Sequence, residues 1–323
     1  MTATATAGPP RIALIATLRN EGPFVLEWLA YHRAIGFTEA WVASNDCEDG
    51  SPALLDALAE RGLLTHVPCT PPPAEKAQIV AYQAIGERLA GDWPDWMVTI
   101  DGDEFLNVVV GDGRVADLIA AVGDATAVMV NWRVFGSSGE RHWSAASVLR
   151  RFTRGAPRGH GVNRPFKTLF RGPERYLAPL LPHGPGYARK EAVAAIFPVD
   201  GGGHALPEVY ARSEGFLQRE ADEIDWGLAQ VNHYNTRSWE DYLAKHARGG
   251  GQGPWRWDRD GNWPVFDRNE EEDTGILRWL PQTEALVAEW LADPAIAAAH
   301  ARCLVLYDEH VARLAAAVAE GGA

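Results

Sequence analysis

Cysteine is scarce in this chain of 323 residues: Cys47, Cys69 and Cys303 are all it has. Odd in number, widely spaced and without a metal-ligand pair, they indicate neither a disulfide framework nor a zinc site. No apolar run approaches the ~20 residues needed to span a bilayer. Residues 1–10 are small and polar, and show neither the basic start nor the apolar stretch of a signal peptide. A cytoplasmic setting is therefore expected, with any membrane association peripheral at the inner face. Basic residues are outnumbered, 30 against 43 acidic, and the net charge of −13 argues against nucleic acid as a partner. A glycine-rich phosphate loop is also missing. Thr17 to Gly22 matches neither the dinucleotide fingerprint nor the P-loop, which speaks against a nicotinamide enzyme or a P-loop NTPase.

Apolar residues, by contrast, are plentiful: 46% of the chain is hydrophobic and 13 residues are Trp, enough for a sizeable core. Ile12 to Ala16 reads as a buried strand and Thr17 to Gly22 as a loop. A helix follows, with Pro23 at its first position, Phe24, Trp28, Tyr31 and Ile35 at helical spacing, and Gly36 just past its end. Ala40 to Ser44 is a second strand, Asn45 to Gly50 a loop, and Ser51-Pro52 opens a helix that Gly62 stops. Leu63 to Val67, a helix over 75–90, and the strand Trp96 to Ile100 continue the alternation. This spacing predicts a doubly wound, mostly parallel α/β sheet, whose ligands lie beyond the carboxyl ends of the strands. The loops at 17–22, 45–50 and 101–104 all leave carboxyl ends and should meet at one crevice. After Ala127 to Val134 the pattern loosens, and 135–190 reads as extended strands and long loops completing the pocket.

The most informative feature is Asp101-Gly102-Asp103-Glu104, three acids in four positions directly after a buried strand. Hard oxygen ligands at a sheet edge suit a divalent cation that meets a phosphate-bearing ligand. The bland alternative is that these carboxylates only cap a turn.

Six segments occur in an order that resembles a known family. They are Arg19-Asn20-Glu21; Glu27 to Arg33; Ser44-Asn45-Asp46 through Asp49-Gly50-Ser51; Asp101 to Leu106; Asn131 to Gly139; and Asn232-His233-Tyr234. Together, over about residues 11–250, they resemble the family-2-type glycosyltransferases of the GT-A fold, and within them the branch similar to family 92. The resemblance implies transfer of a sugar from a nucleotide sugar to an acceptor hydroxyl, usually with Mn²⁺ or Mg²⁺. It implies that Asp101 contacts the donor's ribose or the metal, that Asp103 ligates the metal bridging the diphosphate, and that the late His233 completes the metal site. A departing nucleoside diphosphate develops negative charge that such a cation neutralises.

Donor-binding candidates from the same comparison are Thr17, Arg19, Asn20 and Asp46, with Cys47 standing where the family often has Ser. Lys167, Lys245 and Arg248 are candidate diphosphate neutralisers, although charge near a helix end also satisfies the helix dipole. His183 resembles a position near the acceptor. Trp255 and Trp257, in a glycine- and tryptophan-rich loop, suit either sugar stacking or packing. An inverting transfer needs a general base, for which Asp200 before Gly201 and Glu214 before Gly215 are the candidates; a retaining one needs none.

The expected organisation is a disordered N-terminus over 1–10, a GT-A domain over 11–250, and an acceptor-side loop with two C-terminal helices over 251–323, packed on the same domain. The expected function is metal-dependent transfer from a UDP-sugar to a glycan or lipid-linked acceptor. A nucleotidyl or phosphoryl transferase also uses paired carboxylates and a divalent ion. A catalytically silent sugar-binding module is the third reading.

Overall fold

The computed structural model describes residues 8–319 except 213–217 and 248–262. In chain order the first half is β1 (Ile12–Leu18), α1 (Val25–Ala34), β2 (Glu39–Ser44), α2 (Ser51–Glu60), β3 (Thr65–Pro68), α3 (Ala77–Leu89), β4 (Trp96–Thr99), β5 (Glu104–Val108), α4 (Val115–Ala121) and β6 (Ala127–Val134). The second half is α5 (Val148–Arg151), β7 (Arg154–Gly155), β8 (Phe166–Phe170), β9 (Pro198–Asp200), α6 (Val209–Arg212), β10 (Ala229–His233), α7 (Trp239–Ala247), α8 (Trp263–Phe266), β11 (Glu271–Glu272), α9 (Leu280–Leu291) and α10 (Pro294–Ala319).

The main sheet runs β3-β2-β1-β4-β8-β6-β10-β5, with β9 beside β6. Strands β3, β2, β1 and β4 are mutually parallel; β8 is antiparallel to β4 and β6, β10 is parallel to β6, and β5 returns antiparallel to β10. The parallel half is covered on both faces, as a parallel sheet must be. Leu14 and Ala16 of β1 pack with α1 and α2, while Ala13 and Ile15 pack with Tyr82 and Ile85 of α3. The doubly wound α/β reading therefore holds, and the irregular second half is likewise as expected. The strand β5 was not anticipated. It begins at Glu104 itself, so the acidic turn is the link between a parallel strand and the strand at the far end of the sheet order.

Two helices end the chain, also as expected. α9 packs on α1, and α10 lies across α2 and α7. The approach of α10 is close: a Cβ on Gly22 would sit 2.6 Å from Cys303 Sγ, so only glycine fits there. The three cysteines are free thiols. Among the described residues no helix is long and apolar enough to cross a membrane.

One buried imidazole joins α1 to β5. His32 is fully buried, with Nδ1 2.8 Å from Trp28 O and Nε2 3.3 Å from the Leu106 N–H. The amide donates to Nε2, so the proton sits on Nδ1 and the ring is neutral. Burial pushes its pKa from 6.5 to about 3. The unfolded chain takes up a proton as pH falls through 6.5 and the folded one does not. Stability is therefore full above 6.5 and is lost progressively toward pH 3. Between pH 7 and pH 5 this one group should remove about 2 kcal/mol of unfolding free energy. Urea titrations of wild type and His32→Gln at both pH values check this: the variant should lose less stability on acidification, and an equal loss would refute it.

Candidate active site

The acidic turn is built before any ligand arrives. The indole of Trp28 donates to both Asp101 O and Glu104 O, each at 3.1 Å, and Glu104 N–H closes the turn on Asp101 O at 3.1 Å. A side chain at position 102 would meet Leu18 Cδ2 at 2.8 Å, so Gly102 lets the turn lie against the loop after β1. Glu104 is fully buried. Its Oε2 accepts from Asp101 N–H at 2.9 Å and lies 3.0 Å from Lys167 Nζ.

Lys167, on β8, is fully buried as well. Its ammonium donates to Asp101 Oδ2 at 2.8 Å and to Pro182 O at 2.6 Å. Burial opposes the charge, but Asp101 and Glu104 outweigh burial and hold the lysine above its ordinary pKa. Glu104 moves up, because burial exceeds the compensation from Lys167. The expectation that Lys167 neutralises a diphosphate is thereby corrected: the residue is locked into the scaffold. Asp101, which also accepts from Gln78 Nε2 at 3.2 Å, is drawn toward this lysine.

Asp103 has different company. The register of β5 and β10 sets His233 opposite Glu104, and His233 Nε2 lies 3.6 Å from Asp103 Oδ2. The ammonium of Lys245, on the last turn of α7, donates to the same carboxylate oxygen. Burial alone would raise this carboxyl, yet Lys245, His233 and Arg237 hold it well below the usual carboxylate range. Among the described residues no three His, Cys, Asp or Glu side chains are gathered to hold a metal. Of the expected triad of Asp101, Asp103 and His233, the last two lie together, while Asp101 is bonded to Lys167. A buried carboxylate with an imidazole nitrogen 3.6 Å from it still suits Mn²⁺ or Mg²⁺. Such ions commonly take one or two protein ligands and fill the rest with phosphate and water.

The loops after β1, β2 and β4 converge as expected. Asn20 Oδ1 accepts from Glu48 N–H at 2.8 Å, and Asp49 Oδ2 accepts from Gly22 N–H at 2.7 Å. Asn20, Asp46 and Arg237 are three of the four non-glycine residues with positive φ among those described, at 54°, 47° and 50°. Backbone strain of this kind concentrates at functional loops. Thr17 is half-buried at the end of β1, whereas Arg19 and Asp46 are exposed. Arg237 was missed from sequence. It is buried, pairs with Glu21 Oε2 at 3.1 Å, donates to Gly102 O at 3.4 Å, and stands 3.6 Å over the ring of Phe24. A single Arg in a polar loop gives no sequence signal for that role.

A cleft opens here, with Asn20, Asp49, Arg237 and Lys245 on one side. Tyr307, His310 and Arg313 of α10 form the other side. The sequence had suggested only packing for this helix.

On the second side of Asp103 lies an aromatic row. The Trp132 ring is 4.2 Å from that of His233 and 5.6 Å from that of His183. His183 Nδ1 lies 2.9 Å from Phe166 O, and burial, followed by the charge of Lys167, pushes its pKa to about 4, so the ring is neutral. Trp132 lay within a family-like motif but was not singled out from sequence. Asp200 is corrected. Its buried carboxylate accepts from Gly202 and His204 N–H at 3.0 and 2.9 Å and pairs with Arg219 at 3.4 Å, which makes it a turn cap. It is in register with Met129 while His233 is in register with Val134, about 16 Å apart along the strand. Glu214, Arg248, Trp255 and Trp257 lie outside the described residues.

No family model matches the chain. Over 245 residues it is 25% identical to a glycosyltransferase family 92 protein of Ricinus communis, which takes in 74% of this chain and 38% of the relative. The chain is similar to a family 92 glycosyltransferase. That is the branch its six motifs resemble, and it spans about two-fifths of the curated relative's length. Among solved structures, the 1–349 fragment of S. aureus TarS in complex with UDP-GlcNAc is 8% identical, covering 96% of this chain and 92% of its own, with a TM-score of 0.36. M. tuberculosis glucosyl-3-phosphoglycerate synthase is 15% identical over 37% of this chain and 43% of its own, with a TM-score of 0.24.

The scaffold role of Lys167 has a measurable consequence. Lys167→Met leaves Asp101 and Glu104 facing each other without a buried cation, and should cost about 3–5 kcal/mol of stability. Asp101→Asn should cost less, since Asp101 is 32% exposed and Glu104 keeps its partner. Urea midpoints of the two variants check the order; equal or reversed losses would contradict it.

Proposed function

We propose that this chain is a glycosyltransferase of GT-A type that takes a uridine diphosphate sugar as donor and a hydroxyl of a glycan or lipid-linked glycan as acceptor. The observation that carries the reading is the Asp103–His233 pair at the carboxyl edge of the sheet, where the loops after β1 and β2 meet it. Thr17, Arg19, Asn20 and Asp46, at the end of β1 and in the loops after β1 and β2, would hold the nucleoside, and Lys245 would supply charge to the diphosphate. Mn²⁺ or Mg²⁺ would be held by Asp103 and His233, supplying positive charge to the departing diphosphate.

The chain's own residues set the geometry around that point. Glu104 holds the backbone N–H of Asp101 and Lys167 holds its Oδ2, so the carboxylate is presented at a constant position. Trp132, flanked by neutral His183, offers an apolar face on which a sugar ring can lie while water is excluded. A cytoplasmic location, peripheral to the membrane where a lipid-linked acceptor resides, fits the same reading, as does a part in polysaccharide synthesis.

Thermal-shift titration with UDP, GDP, CDP and ADP, each with and without Mn²⁺, tests the donor site. UDP with Mn²⁺ should stabilise wild type by about 2.7 kcal/mol at a hundredfold excess over its Kd, and should leave Asp103→Asn unmoved. No shift with any diphosphate, or an equal shift in the variant, would sink the proposal. Turnover of a nucleoside triphosphate in place of a UDP-sugar would favour a nucleotidyl transferase.

A further inference from the structure

Two lysines neutralise the acidic turn, and they are held in different ways. Lys167 has no exposed side-chain surface, whereas Lys245 keeps 30% of its side chain exposed at the end of α7. The ammonium of Lys245 donates to Asp103 Oδ2, to Asn235 Oδ1 and to Asn235 O, the last at 3.2 Å. Three donors therefore meet three oxygens, the full complement of an ammonium group. Those oxygens, one carboxylate, one amide and one carbonyl, converge on the ammonium, and His233 Nε2 lies 3.6 Å from the same Asp103 Oδ2. Such a donor set is the kind that hard divalent cations take.

We propose that Lys245 is a resident cation that occupies the divalent-cation position of this site and is exchanged for the metal, with Asn235 supplying oxygen ligands once the ammonium has left. This rests on the reading of Asp103 and His233 as metal ligands given above.

The physical reason lies in the buried carboxylate. Asp103 has only 7% of its side chain exposed, and an ionised group so placed needs a counter-charge before any donor arrives. Lys245 provides it and lets the turn fold in the absence of metal. Its flexible stem and partial exposure allow it to withdraw when a doubly charged ion competes for the same oxygens. The withdrawn ammonium stays on the wall of the cleft and within reach of a diphosphate bound there, so the positive charge of the site rises when the donor brings negative charge. Lys167, locked by Asp101, Glu104 and Pro182, cannot make this exchange.

Mn²⁺ binding followed by electron paramagnetic resonance, without donor, tests the exchange on the full chain. Lys245→Met removes the competitor and should tighten Mn²⁺ binding roughly fivefold to tenfold. Asn235→Ala removes an oxygen and should weaken it. Circular dichroism at the working temperature checks that each variant is folded. Unchanged or weaker Mn²⁺ binding in Lys245→Met, with wild type binding normally, overturns the exchange and leaves the metal reading intact. No Mn²⁺ binding by wild type or by Lys245→Met overturns both.

Discussion

A carboxylate removed from water has to be matched by a positive charge, and the architecture around residues 101–104 is arranged by that demand. Three acids follow one another at the end of a strand whose surroundings are dry. Left alone they would repel one another and protonate. The compensating charges come from distant parts of the chain: Lys167 crosses from an antiparallel strand, Lys245 from α7, and Arg237 from the loop between β10 and α7. Each brings its element along. The pairing of β8 between β4 and β6 sets Lys167 beside the turn, and the return of β5 along β10 sets His233 beside Asp103. The mixed half of the sheet thus supplies the charges that the parallel half lacks.

The same demand separates Asp101 from Asp103. A symmetrical pair of acids on one cation would need both to point the same way. Here one carboxylate is held by an immovable ammonium and the other by a partly exposed one beside an imidazole. The pair therefore divides into a fixed structural charge and an adjustable one. Arg237 belongs to the fixed side, with its left-handed backbone conformation sustained by Glu21, the Gly102 carbonyl and the face of Phe24.

The parallel half was legible because its signals are local. Apolar runs of four to eight residues, Gly36 and Gly62 past helix ends, and Pro23 and Pro52 at helix starts place β1 to β4 and their helices to within a few residues. The convergence of the three loops follows from the rule for open sheets, not from any one side chain. What was not legible depended on long-range pairing. The fate of Lys167 and Asp101 is decided by strand register across 66 positions, and the sequence of either segment alone contains nothing about it. Asp200 shows the opposite failure. An acid before three glycines looks like a mobile loop at a cleft, yet the same glycines let the backbone curl so that its own N–H groups satisfy the carboxylate.

The C-terminal helix makes this point at the scale of an element. Its small and apolar residues read as packing, and on one face they are: Cys303 fits beneath Gly22, and Tyr307 lies edge-on to Phe24 at 5.4 Å. Yet the hydroxyl of Tyr307 also donates to Asp241 at 3.0 Å, which ties the helix to α7, the helix that carries Lys245. His310 and Arg313 follow one and two turns later and face the cleft. A helix that periodicity alone assigns to the core is therefore also a wall of the cleft. Its position is fixed by the glycine that lets it approach and by the buried carboxylate it helps to satisfy, so the shape of the cleft and the stability of the fold depend on the same contacts.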